Sequence, residues 1–290
     1  MERVFTAAQA LRAGMSPGIL RSARFRRVVG SAYVRADIAL TSRVRAEAAL
    51  LLVPGGVVSH HTALELWSAI ELTCDELQVS VRRDPHSVVP RVRGLRVHEV
   101  REIQAVNVLG LPLTPPARTF LDLARYCDLT ELVTAGDALV RRTGVDPQHL
   151  IDTVTAANGV RGVRLARTAA ALVRQGVDSP MESRLRLLLV LAGLPEPDIG
   201  LIVRDSDGGW LAKPDLCYPE LRIAIEYDGR HHLLDIGQWR RDIRRRENLE
   251  REGWLVRVIT AHDLLHAPAT VVARISQDLR SRGHRHHLAA

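Results

Sequence analysis

In the stretch IAIEYDGRHH, residues 223–232, Glu226, Asp228 and His232 stand within seven residues at the end of an apolar segment. A strand alternates its side chains, so Ile223, Ile225 and Tyr227 share one face and Ala224, Glu226 and Asp228 the other. One face serves a core and the opposite face presents carboxylates. Upstream, KPDLCY (213–218) reads as a partner strand. A two-residue turn at Pro219-Glu220 pairs Asp215 with Ala224 and Lys213 with Glu226, and opposed residues of an antiparallel pair point the same way. Asp215, Glu226 and Asp228 then converge, with Lys213 beside them; a three-residue loop would reverse this parity. Gathered carboxylates repel unless something neutralises them, and their oxygens are hard ligands for magnesium or manganese. Such an ion polarises a phosphodiester and lowers the pKa of an attacking water. His232 titrates near neutral pH and suits the role of general base, with His231 as the alternative. The competing reading is a solvated sheet edge with scattered charge.

The elements that must position these groups follow in order. SPMESRLRLLLVLAGL (179–194) reads as a helix, with Ser179, Pro180 and Glu182 forming a capping box. That cap would account for Glu182 without any chemistry. GWLAKPDLCY (209–218) and LRIAIEYDG (221–229) read as strands, WRRDIRRRENLERE (239–252) as a helix ended by Gly253, WLVRVIT (254–260) as a strand and PATVVARISQDLRSR (268–282) as a last helix. The pattern is α-β-β-α-β-α. Arg240, Arg241, Arg244, Arg245 and Arg246 could hold phosphates, but Asp242, Glu247, Glu250 and Glu252 are interleaved, as on an ordinary solvated helix.

The first half reads differently. FTAAQALRAG gives a helix closed by Gly14, and MSPGILRSARF a second, with Ser16 as N-cap and Pro17 at its first position. RRVVGSAYVRAD alternates around Gly30 like a hairpin. Helix, turn, helix, hairpin is the winged-helix order. It puts Arg21, Arg24, Arg26 and Arg27 on the second helix and the start of the wing, where helix-turn-helix proteins contact DNA. Residues 41–175 are mixed. TSRVRAEAALLLVPGG and GGVVSHHTALELW read as helices, with His60 and His61 in a first turn and no third ligand evident for a metal. ELQVSVRRD and LRVHEVRE alternate like strands around the proline-rich turn 85–90, and Thr114 caps a helix in TPPARTFLDLARY. A break at Gly176–Pro180 marks a domain boundary.

The 290 residues suffice for two domains, and 46% apolar residues suffice to build their cores. The net charge of +7 points to an anionic partner, nucleic acid first. The basic side is almost all arginine, and Lys213 is the only lysine. Cys74, Cys127 and Cys217 are few, odd in number and far apart, which fits a reducing cytoplasm. The N-terminus has charge but no apolar run, and no segment is long and apolar enough for a membrane span.

Residues 179–280 resemble a bacterial family, the domain of unknown function 559 family. It is allied to the very-short-patch-repair endonucleases of the PD-(D/E)xK, restriction-endonuclease-like superfamily. The matching positions are Glu182, Asp215, Glu226-Tyr227-Asp228-Gly229, His232, Asp242, Arg245, Leu249, Gly253 and Val256-Arg257. The resemblance implies a restriction-endonuclease-like fold and a metal site at Asp215, Glu226 and Asp228, with Arg245 and Arg257 supporting the scissile phosphate or the site. The superfamily motif wants lysine two positions after Glu226, and Asp228 stands there. The allied repair enzymes also lack it and use histidine near the metal. This puts a lysine-assisted mechanism in doubt, and Lys213 is a candidate replacement. TAAQALRAGMSPGILRSARF, GSAYV and LPLTPPARTFLDLA resemble the N-terminal regulator module of AbiEi-type antitoxins, which implies a winged helix and DNA binding.

The expected architecture is therefore a winged-helix-like unit (1–40), a mixed α+β regulator-like region (41–175) and an α/β, restriction-endonuclease-like domain (176–290). The expected function is magnesium- or manganese-dependent phosphodiester hydrolysis in the cytoplasm, on DNA first with an RNA-processing nuclease as a third reading, and the expected partner is double-stranded DNA. The alternative is a non-catalytic, antitoxin-like DNA-binding repressor whose second domain is a scaffold.

Overall fold

The computed structural model describes residues 3–68, 70, 72, 74–86, 88–205, 207–229 and 236–283. The chain divides into two compact units, Met1–Val173 and Arg174–Ala290. Both mix helices with sheets.

The first unit opens with β1 (Val4–Thr6), α1 (Ala7–Arg12), α2 (Pro17–Leu20), β2 (Phe25–Val29) and β3 (Ala32–Arg35). The strands form an antiparallel sheet in the order β1-β3-β2. Thr6 and Gln9 close a capping box on α1, and the Ser16 hydroxyl accepts from the Ile19 N–H at the start of α2. The expected second helix stops after one turn. The Ser22 hydroxyl donates to the Ile19 carbonyl at 2.7 Å and accepts from the Arg24 N–H, so a side chain takes over backbone bonding and the chain turns. Arg21 and Arg24 thus follow α2 rather than lying on it, and Arg26 and Arg27 lie in β2.

The unit continues through α3 (Ser42–Leu52), β4 (Val57–Val58), α4 (His60–Ser68), β5 (Leu77–Arg82), β6 (Leu95–Val100), β7 (Val106–Val108), β8 (Leu111–Leu113), α5 (Pro116–Leu123), α6 (Leu129–Thr143), α7 (Pro147–Ala156) and α8 (Val163–Leu172). Five strands form a mixed sheet ordered β6-β5-β4-β8-β7. The two strands flanking the proline-rich turn pair in parallel, Leu77 with Leu95 through Arg82 with Val100, so segment 83–94 returns along their length.

Residues 1–40 are not a separate domain. Val4, Val29, Ala32 and Val34 share one core with Val44, Ala48 and Ala49 of α3 and with Leu77, Val79 and Leu95 of the larger sheet. The other side of this sheet carries only a small cluster of its own, Phe5, Ala10, Leu20 and Tyr33, too little apolar surface to stand alone. The hairpin tip is packed as well: a Cβ on Gly30 would meet Val92 Cγ1 at 2.5 Å and Leu52 Cδ1 at 3.1 Å.

In the helical part, Gly136 of α6 lets Val173 and Phe120 approach. A Cβ there would stand 2.4 Å from Val173 Cγ2 and 2.9 Å from Phe120 Cε2. Overpacking costs about 1–3 kcal/mol, and alanine's better helix propensity returns about 1 kcal/mol. Gly136→Ala is therefore expected to destabilise the unit by about 1 kcal/mol, read as a lower urea midpoint at unchanged slope. An unchanged or higher midpoint would contradict this packing.

The second unit contains α9 (Pro180–Leu191), β9 (Asp198–Ile199), β10 (Val203–Arg204), β11 (Trp210–Ala212), β12 (Leu216–Tyr218), β13 (Ile223–Asp228), α10 (Ile236–Arg251), β14 (Leu255–Thr260), α11 (Ala261–His266) and α12 (Pro268–Ser281). Four strands form a sheet ordered β14-β13-β12-β9, with β13 and β14 parallel and β12 antiparallel to both neighbours. The expected single strand GWLAKPDLCY is two strands. β11 pairs with β10, β12 pairs with β13, and the break falls at Lys213–Asp215, where Pro214 has no N–H for a ladder.

The β12–β13 connection spans residues 219–222, a 3₁₀ turn followed by Arg222 in the left-handed region (φ 49°). The register is Leu216 with Ile225, Cys217 with Ala224 and Tyr218 with Ile223. Four connecting residues replace the expected two, so each pairing moves by two positions and the faces are preserved. On one face Leu216, Ile223, Ile225 and Ile259 pack against Leu185 and Leu189 of α9 and Val271 and Ile275 of α12. On the other, Cys217 and Ala224 pack with Ala212 and with Leu249 of α10.

Candidate functional site

The carboxylates lie on the α10 side of the second unit's sheet. Continuing the β12–β13 register one step beyond Leu216–Ile225 sets Asp215 across from Glu226, not Ala224. The Asp215 Oδ2 accepts from the Tyr227 N–H at 2.7 Å, which ties the end of β13 to the residue before β12. Burial pushes the Asp215 carboxyl above its usual range; the Tyr227 N–H opposes this, and the nearby Glu226 charge adds to the rise. Glu226 pairs with Arg245 of α10 at 3.1 Å. Asp228, two positions along the same strand, shares the parity of Glu226 and is half-buried.

Glu182 joins this group from the start of α9. It is buried, and its carboxyl is pushed up first by burial and then by Asp215. Its carboxylate accepts from the Asp178 N–H at 2.9 Å while its own N–H donates to Ser179 Oγ at 3.2 Å. The expected capping box is thus displaced by one residue: the reciprocal bond goes to Asp178 rather than to the N-cap. Glu182 serves both as a cap and as a neighbour of Asp215.

Lys213 is not across from Glu226. It sits in the break between β11 and β12, its stem over Gly200, and its Nζ pairs with Asp178 at 2.9 Å. Asp178 raises the lysine pKa first, with Glu182 and Asp215 contributing at longer range. Asp178 escaped the sequence reading; an acid just before a helix cap is ordinarily explained by the helix dipole alone.

Arg257 does not join the site. It is in register with Ile225 on the opposite face and makes a bidentate pair with Asp278 of α12, at 2.6 and 2.7 Å. His232, its alternative His231 and the side chain of Asp242 lie outside the described residues.

These acids suit a divalent ion in donor type alone. Glu182, Asp215 and Glu226 are hard oxygen donors, and two of them have raised pKa values from burial and mutual repulsion, which a cation would relieve. Among the described residues, no group of three His, Cys, Asp or Glu side chains stands close enough to hold an ion.

In the first unit Arg21, Arg24, Arg26 and Arg27 are all exposed. Arg26 donates to the Ile38 carbonyl, and Arg27 donates to the Tyr33 hydroxyl at 3.1 Å. Arg21 and Arg24 have no side-chain partner among the described residues.

A third imidazole accompanies the first-turn histidines of α4. His98 of β6 stacks on His60 with ring centroids 3.8 Å apart, and Tyr126 sets its ring against both and against His61. The His60 Nδ1 lies 2.9 Å from Ser59 Oγ, which accepts from Ser80 Oγ. Burial, reinforced by neighbouring cationic groups, lowers His60 to about 2 and His98 to about 4. These histidines are neutral at pH 7 and packed as aromatic surface.

No family model matches the chain. It is 28% identical over 199 residues to the uncharacterised protein Rv2248 of Mycobacterium tuberculosis strain H37Rv, and equally to the uncharacterised protein MT2308 of strain CDC 1551. Each alignment covers 67% of this chain and 73% of the relative. A crystal structure of RV2827C protein from the same species aligns over 68% of this chain and 78% of its own, at 11% identity and a TM-score of 0.39. Among the described residues no helix is long and apolar enough to cross a membrane.

Proposed function

We propose that the second unit hydrolyses phosphodiester bonds in DNA with a bound divalent metal, on a restriction-endonuclease-like core. The first unit would be a winged-helix-like module that binds duplex DNA. The observation that carries this reading is the convergence of Asp215 and Glu226 from two paired strands, each held in place. The Tyr227 N–H orients Asp215 and Arg245 orients Glu226.

Asp215, Glu226 and Asp228 would hold magnesium or manganese. When bound, the metal would polarise the phosphodiester and make water a stronger nucleophile at neutral pH. The chain's own contributions are distinct. Arg245, already beside Glu226, offers a guanidinium to a phosphate oxygen. Lys213 supplies a positive charge at the Asp178 edge of the acids, and His232 would accept the proton from water. The three free cysteines suit a reducing cytoplasm.

The test is cleavage of plasmid, single-stranded and branched DNA, and of RNA, by the full chain with magnesium, with manganese and with a chelator. Chelator-sensitive cleavage supports the proposal. Absence of cleavage on every substrate with either metal removes it.

One observation favours the second reading, a non-catalytic DNA-binding regulator. Glu226 and Asp178 already have cationic partners in Arg245 and Lys213, so the acids are partly neutralised without a metal. Salt-sensitive duplex binding without cleavage would select it.

A further inference from the structure

The exposed arginines of β2 continue onto a second segment. The end of the return between β5 and β6, residues 88–94, passes beside the β2–β3 hairpin. Val92 packs on the hairpin tip at Gly30, and Gly94 lies beside Val29 at the end of β2. Arg91 and Arg93 flank Val92; both are exposed, and neither has a hydrogen bond or ion pair among the described residues. They border a groove of about 990 Å³ whose wall includes Val88, Val89 and Pro90. Val88 is 94% exposed. The neighbouring Arg96 is different: it is paired with Glu76 at 2.6 Å, so that pair brings no net charge.

Four of the first unit's exposed guanidiniums without a side-chain partner among the described residues lie at the two ends of β2. Arg21 and Arg24 precede β2, and Arg91 and Arg93 sit where β2 ends. A guanidinium left without an internal partner is a ready bidentate donor to phosphate. A regularly spaced polyanion is the partner that this charge complements.

We infer that segment 88–94 is a second backbone clamp, in which Arg91 and Arg93 contact phosphates of the same DNA duplex that Arg21 and Arg24 contact. The clamp rests on the proposed DNA binding by the first unit. It extends the footprint beyond the helix-helix-hairpin residues to a loop that is distant in sequence and adjacent in the fold.

The experiment is a salt titration of duplex binding by the full chain, followed by fluorescence anisotropy. Each phosphate contact contributes about −0.9 to the log–log salt slope. Arg91→Ala with Arg93→Ala is expected to flatten the slope by about 1.8 and to weaken binding roughly 60-fold at 0.1 M salt. Arg91→Lys with Arg93→Lys keeps the charge and should keep the slope. Arg21→Ala with Arg24→Ala tests the underlying reading separately. If that pair flattens the slope and the Arg91/Arg93 alanine pair does not, the clamp is overturned and the DNA reading stands. If the full chain binds no duplex at low salt, both fall. If the Arg91/Arg93 alanine pair leaves duplex binding intact and abolishes binding of polyglutamate, the surface is a protein dock and the clamp is overturned.

Discussion

Asp215→Asn is expected to remove metal-dependent cleavage, by about 100-fold or more, without loosening the second unit. Substituting even an outer partner of a metal site costs about 10–100-fold, so losing a ligand charge should cost at least the upper end. The substitution is nearly isosteric, and an asparagine oxygen can still accept the Tyr227 N–H that Asp215 accepts at 2.7 Å. Stability should hold or rise, and the sign follows from the pKa. The folded-state pKa of Asp215 is raised, chiefly by burial. A carboxyl raised on folding destabilises the native state where it is ionised, and the penalty fades as pH falls. A neutral amide lacks that penalty at pH 7. Glu226→Gln should likewise remove cleavage, but it deprives Arg245 of its 3.1 Å partner and is therefore the less clean variant. Paired measurements of cleavage rate and thermal midpoint decide the matter. Full activity in Asp215→Asn would sink the catalytic reading, and lost activity with a collapsed midpoint would assign Asp215 to structure.

The first unit should lose stability on mild acidification, through the stacked imidazoles. His60 is lowered to about 2 and His98 to about 4, each by burial first. A base whose pKa is depressed on folding contributes stability that is full above its unfolded value near 6.5. That contribution is lost as pH falls from there toward the folded pKa. At pH 4.5, His60 alone accounts for about 3 kcal/mol. His98, only partly buried and so screened, accounts for about half as much. His61, also lowered by burial, acts in the same direction.

Other groups face the stack from each packed element. Arg118 and Arg125 add positive charge near His60, Arg96 and Arg125 near His98, and Glu131 opposes at His61. Asp122 works against the trend. Burial raises it to about 6, so it gains a proton in the native state as pH falls and returns about 2 kcal/mol. The net expectation is a loss of roughly 2 kcal/mol between pH 7 and 4.5, about thirty-fold in the folding constant. Urea midpoints across that range measure it. Asp122→Asn should steepen the loss and His98→Phe should shallow it; a flat profile would show that the stack opens without cost.

Much of the second unit is legible in its sequence because its signals are local. Alternation in IAIEYD separates an apolar face from Glu226 and Asp228, and the structure keeps that separation because β13 is sandwiched between two cores. Asp215 reaches the Glu226 face although the connection has four residues rather than two, since parity survives any even change in length. Ser16 and Ser179 cap helices as their types suggest, but Thr114 does not: Pro115 stands at the N-cap of α5 without a side-chain hydrogen bond, and the Thr114 hydroxyl lies 2.7 Å from that of Thr119 instead. Short-range hydrogen bonding and side-chain period are properties a linear pattern can carry.

What the linear pattern does not carry is which non-neighbours meet. Arg257 reads as a site residue by position, yet strand parity in the parallel β13–β14 pair turns it to Asp278. Lys213 pairs with Asp178, 35 residues away, because Pro214 breaks the strand; the four-residue connection had already moved the position opposite Glu226 from Lys213 to Asp215. His98 meets His60 only because β5 and β6 run parallel and the intervening segment returns along the sheet, and that same return brings Arg91 and Arg93 beside β2. The sequence by itself determined the caps at Ser16 and Ser179, the two faces of β13 and the acids Asp215, Glu226 and Asp228. The tertiary structure alone decided their counter-ions and the merging of residues 1–40 into a larger core, because burial and charge pairing depend on what packs opposite, which is set by the sum of all contacts and not by spacing along the chain.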